Sequence, residues 1–321
     1  MRAITTAAAR AGLAQFALDV QYYLTQEPRQ LPSRYLYDTL GSALFEAICH
    51  LPWYGLTRTE TQLLQTHGRS ILGGLPRLTT IVELGPGSGD KLSTLVESGC
   101  QSAERLDVRL VDISAGALEM AERAVARLGP ARVTTYEASY EAGLEAALSD
   151  VEAGRALVMF LGSNIGNFDP PSAAAFLRGV RGLVGAGDAF LVGADLVKTE
   201  VELSLAYDDP LGVTAAFNRN LLVRINRELA ADFDIDQFDH RAVWNPAESR
   251  VEMHLVSRSR QRIRVAAARL DFTMKQGESI WTESSYKYTP ASILQLLEEA
   301  GFRRVDQWIG GGFSVNLVEA V

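Results

Sequence analysis

The stretch IVELGPGSGDK, residues 81–91, runs from an apolar segment into Gly85, Gly87 and Gly89 and then into polar residues. A strand that breaks into a glycine turn and restarts as a helix is a common seat for nucleotide-like ligands. The dinucleotide pattern G-x-G-x-x-G does not fit, because the glycines here are spaced as G-P-G-S-G. Pro86 also removes a backbone N–H that a pyrophosphate would use. Glu83 stands two positions before the first glycine, where it orders the loop or faces a cation through water. The next apolar segment, RLDVRLVDI, carries Asp112, a carboxylate placed to accept both hydroxyls of a ribose. A close backbone approach with no anion cradle, an acid ahead and a ribose acceptor behind fits S-adenosylmethionine, a sulfonium cofactor without phosphate. A glycine-rich turn with no ligand is the alternative.

Outward from this loop, TTIVELG, RLDVRLVDI, RALVMFLG and DAFLVGADL read as strands buried on both faces, being rich in Val, Leu, Ile and Phe. Between them lie the helical patterns DKLSTLVESG, AGALEMAERAVARLG and SAAAFLRGVRGLVG, the second opened by Ser114 and closed by Gly129-Pro130. This alternation predicts a doubly wound α/β sheet. Near the C-terminus a helix, ASILQLLEEAG, precedes two strands, FRRVDQWIG and FSVNLVEAV, that Gly310, Gly311 and Gly312 join as an antiparallel hairpin. Two regions break the rhythm: residues 1–58, mainly helical, and 198–287, with the helix AAFNRNLLVRINREL and the strand-like RVEMHLVSRSRQRIRVAA. They are expected to form a second domain, leaving 59–197 and 288–321 to the sheet domain.

The composition narrows the function classes. With 321 residues, 47% hydrophobic and 22% charged, the chain is long enough for one large or two smaller globular domains. A formal net charge of −8 without a Lys/Arg-rich run argues against nucleic acid or an anionic membrane as partner. Cys49 and Cys100 suggest neither a disulfide framework nor a zinc site, and His50, His67, His240 and His254 show no ligand spacing, so no metal is expected. The N-terminus lacks a continuous apolar run and carries Asp19, which reads as an amphipathic helix rather than a leader. No stretch approaches the roughly 18 apolar residues of a membrane span. A cytoplasmic monomer acting on a small molecule is the expectation.

Longer motifs are more specific than the loop. SRYLYDTLGSALFEAICHLPWYGLTRTE, FLGSNIGNFDP, GADLVK, AYDDPLGVTAAFNRNLLVRINREL, ADFDIDQFDH and TESSYKY occur in that order. Together they resemble the histidine Nα-methyltransferases of ergothioneine biosynthesis, from about residue 30 to the C-terminus. The resemblance implies a Rossmann-like methyltransferase sheet beside a substrate-binding domain, and trimethylation of L-histidine to hercynine. By motif it implies that Tyr37 and Tyr54 line the substrate pocket, with Tyr37 orienting the amine or helping to remove its proton. Gly162 and Asn167 would lie past a sheet strand, Asn167 holding the amino and carboxylate groups and Tyr207 the carboxylate. Glu283 and Ser285 would bond the imidazole, sharing a strand face at i and i+2, with Met253 packed against the ring. The implied cofactor residues are Glu83, Gly85, Gly87, Lys91, Asp112, Ser139 and Tyr140.

The chain also departs from the family pattern. Ala138-Ser139-Tyr140 replaces a Gly-Asp-Phe-like segment whose acid lies near adenine, so adenine is expected against backbone or Ser139. Pro86 and Gly55-Leu56 are unusual, and Trp281 stands two positions before Glu283, where it could reshape the pocket edge. Alternatives are a related amino acid, such as tryptophan or a thiol-bearing histidine derivative, and a silent binding homologue. Glu283 and Met253 favour histidine, because an indole offers one donor and needs more room.

Overall fold

The computed structural model describes residues 7–99, 103–130, 132–151 and 154–321; Cys100, expected as a small core or surface residue, lies outside them. The chain forms two compact units, Met1–Tyr54 with Thr199–Ser284 and Gly55–Lys198 with Ser285–Val321. These borders differ by a few residues from those expected. The helix Gly55–Gly73 lies wholly in the second unit, where it packs against the helix Asp90–Gly99.

The second unit holds a seven-stranded sheet. Its strands are β1 (Leu78–Leu84), β2 (Asp107–Asp112), β3 (Arg132–Glu137), β4 (Arg155–Phe160), β5 (Ala189–Asp195), β6 (Phe302–Gly310) and β7 (Phe313–Ala320). They lie in the order β6-β7-β5-β4-β1-β2-β3, with β7 antiparallel to both neighbours and β1 to β5 parallel. The doubly wound sheet and its C-terminal hairpin are those predicted from the sequence. β5 is buried at every position, which is why its continuous apolar run reads plainly as a strand. From β1 the chain winds outward through β2 and β3, then returns to β4 on the other side. The reversal falls between β1 and β4, and open α/β sheets bind ligands at the carboxyl ends of such strands.

A second sheet, in the first unit but for Ser285 and Tyr286, pairs four strands in the order Arg29–Gln30, Ser279–Tyr286, Arg250–Ser257, Phe238–Asn245. Along Arg250–Ser257 burial alternates residue by residue, the mark of a sheet with one covered face. The helix Val213–Leu229 buries Thr214, Phe217, Asn218, Leu221, Leu222, Ile225 and Leu229 along one stripe. Asp38 anchors that helix to the N-terminal segment. It caps the helix Thr39–Cys49 through the Gly41 N–H, 2.7 Å away, and accepts from Asn220 and Arg227, each also at 2.7 Å.

Candidate active site

In the sheet unit, the carboxyl ends of β1, β2 and β4 gather most of the residues expected to hold the cofactor. β1 delivers Glu83, flanked in register by Leu110 and Met159, and then the turn in which Gly85, Gly87 and Gly89 all take positive φ. Gly85 is fastened by its N–H to the Val111 carbonyl, 2.8 Å away. A Cβ on Gly87 would meet nothing within 4 Å, so the turn leaves that side open for close approach. Glu83 is 1% exposed, and its Oε2 has no hydrogen-bond partner among the described residues. Burial pushes its carboxyl up to about 8, against the opposing pull of Lys91. An orphaned buried oxygen beside an open glycine turn suits a ligand that brings a cation or N–H donors.

Asp112 ends β2 with Oδ1 accepting from the Ser114 N–H at 2.8 Å, and burial raises its carboxyl. Ser139, expected near adenine, caps the helix Tyr140–Leu148 through Ala142 N–H. Tyr140 is the better candidate at this edge: a Cβ on Gly85 would stand 3.0 Å from its hydroxyl. Burial pushes that hydroxyl's pKa up, so it stays protonated and able to donate.

Beyond β4 the chain turns through Gly162 and Ser163, both at positive φ, into the short helix Asn164–Asn167. Asn167 is exposed. The Gly162 N–H is taken by Glu60, 2.9 Å from each carboxylate oxygen. Ser285 accepts from Lys287 Nζ at 2.8 Å; Lys287 pairs at 2.9 Å with Asp195, whose N–H donates to Ser163 of this turn at 2.9 Å.

The first unit brings together three of the expected tyrosines. Tyr37 meets Phe45 and Phe217, each at 5.5 Å between ring centroids; Phe45 meets Tyr54 at 6.3 Å, and Tyr54 meets Tyr207 at 6.3 Å. Phe45 and Phe217, which join these rings, were not singled out from the sequence. Tyr207 ends the helix Glu200–Tyr207, and its carbonyl lies 2.8 Å from His240 Nε2. A carbonyl only accepts, so His240 carries its proton on Nε2 and Nδ1 accepts from Asn218 at 2.9 Å. Asn218 also takes the Thr282 hydroxyl, at 2.7 Å from its Oδ1, and that hydroxyl lies 3.0 Å from the Met253 carbonyl. His240 is therefore structural, and burial holds its pKa below the ordinary range. Met253 is 2% exposed, on the covered side of its strand. Trp281 stacks with His254 at 6.1 Å, lies under Arg250 at 4.5 Å, and donates its indole N–H to the Glu283 carbonyl at 2.8 Å. Its effect is to fix the backbone at Glu283. No group of three or more metal-ligating side chains occurs among the described residues.

The family model described as histidine-specific, SAM-dependent methyltransferase matches residues 16–320. The chain belongs to this family. Among curated members, the histidine N-alpha-methyltransferase of Mycolicibacterium smegmatis is 41% identical over 304 residues, which is 93% of each chain. The enzyme of the same name from Mycobacterium tuberculosis is 40% identical over 303 residues, again 93% of each. Ergothioneine biosynthesis protein 1 of Neurospora crassa is 27% identical, over 88% of this chain and 32% of that protein. The family match runs through both compact units.

Proposed function

We propose that this methyltransferase transfers three methyl groups from S-adenosylmethionine to the α-nitrogen of L-histidine, giving hercynine, the first step of ergothioneine biosynthesis. The observation that carries this reading is the family match over residues 16–320, which takes in the insertion as well as the sheet. When bound, S-adenosylmethionine supplies an activated methyl group on a sulfonium leaving group. The residues to hold it are Glu83, Gly85, Gly87, Lys91, Asp112 and Tyr140, with Ser139 contributing through its backbone. The orphaned Glu83 Oε2 and the open side of Gly87 fit that role.

The chain's own part is positioning and proton handling. Each transfer needs an α-nitrogen with a lone pair, so the amine must be neutral and aimed. Tyr37 is assigned to orient the nitrogen and assist loss of its proton. Tyr54 lines the substrate site, Asn167 holds the amine and carboxylate, Tyr207 holds the carboxylate, and Gly162 supports Asn167 from the start of its turn. Glu283 accepts the imidazole N–H, Met253 packs by the ring, and Ser285 donates to the other ring nitrogen. Ligands that leave the half-buried Glu283 carboxylate or the Ser285 hydroxyl unmet should be penalised. The enzyme is taken as a cytoplasmic monomer.

Mass spectrometry of the purified protein with S-adenosylmethionine and a panel of amino acids tests the reading. Mono-, di- and trimethylated histidine should accumulate in turn, well ahead of products from tryptophan or thiol-bearing histidine derivatives. Faster turnover of another amino acid would reassign the substrate. Absence of methylated product from every panel member would remove the enzyme reading.

A further inference from the structure

Glu60 stands where a helix of this kind should carry an apolar residue. Its neighbours on the buried stripe of Gly55–Gly73 are Leu56, Leu63, Leu64, Ile71 and Leu72, and its own exposure is 0%. A carboxylate so placed is costly unless charge and hydrogen bonds meet it. Here they do. Lys91 Nζ lies 2.6 Å from Oε2, and the Gly162 N–H lies 2.9 Å from both oxygens. The fit extends to β5, where a Cβ on Gly193 would overlap the Glu60 carboxylate. One buried group thus joins the helix after the glycine turn, which begins at Asp90, to the turn that leads to Asn167. The two turns also touch directly: a Cβ on Gly85 would stand 3.0 Å from Asn164 Nδ2.

We propose that Glu60 is a positioning residue of the cofactor site, holding the Lys91 ammonium and the Gly162 turn in one fixed arrangement. The inference rests on the reading of Lys91 as a cofactor residue. Without Glu60, Lys91 loses its buried counter-charge, and the Gly162 N–H loses its charged acceptor. Burial raises the pKa of Glu83 most, Lys91 opposes that rise and Glu60 adds to it, so the three side chains are electrostatically linked.

The test is a double-mutant cycle on the affinity for S-adenosylhomocysteine, measured by calorimetry, with Glu60→Gln, Lys91→Met and the double variant. Glu60→Gln keeps the volume and can still accept from Gly162, but it no longer pairs the Lys91 charge. Its affinity should fall about tenfold, the scale of a lost charged hydrogen bond. In the Lys91→Met background the same change should cost little further affinity. It should also raise the melting temperature of that variant, since it removes a buried unpaired carboxylate. Equal loss in both backgrounds, or no loss in the single variant, would overturn the role of Glu60. Unchanged affinity in Lys91→Met would instead remove the reading of Lys91 on which the role rests. If Lys91→Met does not fold, Lys91→Gln takes its place in the same cycle.

Discussion

Glu83 concentrates the chemistry of the cofactor loop in one carboxyl. Its pKa, pushed up to about 8 by burial, leaves it mostly protonated at neutral pH. A cation placed beside it favours the ionised form, so a bound cationic cofactor should drive its proton into solution. Calorimetric titration with S-adenosylmethionine at pH 7, in buffers of different ionisation enthalpy, reads that proton directly. The cofactor's own amino group titrates in this range, so the informative quantity is the difference between wild type and Glu83→Gln. Wild type should release more protons on binding, by a clear fraction of one per site. Identical proton release by the two proteins would mean that Glu83 does not face the cation. Asp112 differs in kind: Ser114 already satisfies one of its oxygens, which suits the ribose-accepting role we propose for it.

At the level of elements, the glycine turn divides its work among positions that look alike in sequence. Gly87 has φ +56° and open space around its missing side chain; Gly89 has φ +81°, and a Cβ there would stand 2.8 Å from the Ala121 Cα on the next helix. Gly87→Ala should therefore cost only about 1–2 kcal/mol of stability, the price of a left-handed backbone, while blocking the approach of the cofactor. Gly89→Ala adds overpacking against a backbone that cannot move aside, worth roughly 1–3 kcal/mol more. Thermal melts and cofactor titration of the pair should separate the two effects, with affinity failing first in one and stability first in the other. Equal melting temperatures would contradict the packing role of Gly89. The sequence disclosed this turn because strand, turn and helix are consecutive, and two-sided burial leaves apolar runs in β1, β4 and β5, while β2 buries Arg109 within its run. β3 was harder to read: RVTTYE mixes exposed and half-buried positions at the sheet edge. Glu60 had a legible signal, an acid on an apolar stripe, but nothing local identifies Lys91 and Gly162 as its partners.

For the molecule as a whole, what the sequence concealed is contact over long separation. Asp38 bonds Asn220 across 182 positions, and His240 is fixed by Asn218 and Tyr207, so no local pattern marks it as structural. The tyrosines were recognisable by motif, whereas Phe45 and Phe217 became significant only through the ring contacts that join them. The same burial gives the two units opposite responses to pH. In the first, His240 and His254 have pKa values lowered from 6.5 by burial. The unfolded chain takes up these protons near 6.5 and the folded one resists, so their contribution is present above that pH and lost as pH falls below it. In the second, Glu83 rises from 4.5 to about 8, so its contribution is present below 4.5 and lost as pH rises toward 8. Above pH 6.5 the histidine contribution is constant and Glu83 remains. Melting temperatures of the ligand-free protein should therefore decline from pH 6.5 to 8, and Glu83→Gln should flatten that decline. His240→Gln should leave it unchanged while reducing the loss between pH 6.5 and 5. A Glu83→Gln curve parallel to wild type from pH 6.5 to 8 would show that the carboxyl is already ionised in the folded protein, and the proton release expected on cofactor binding would fail with it.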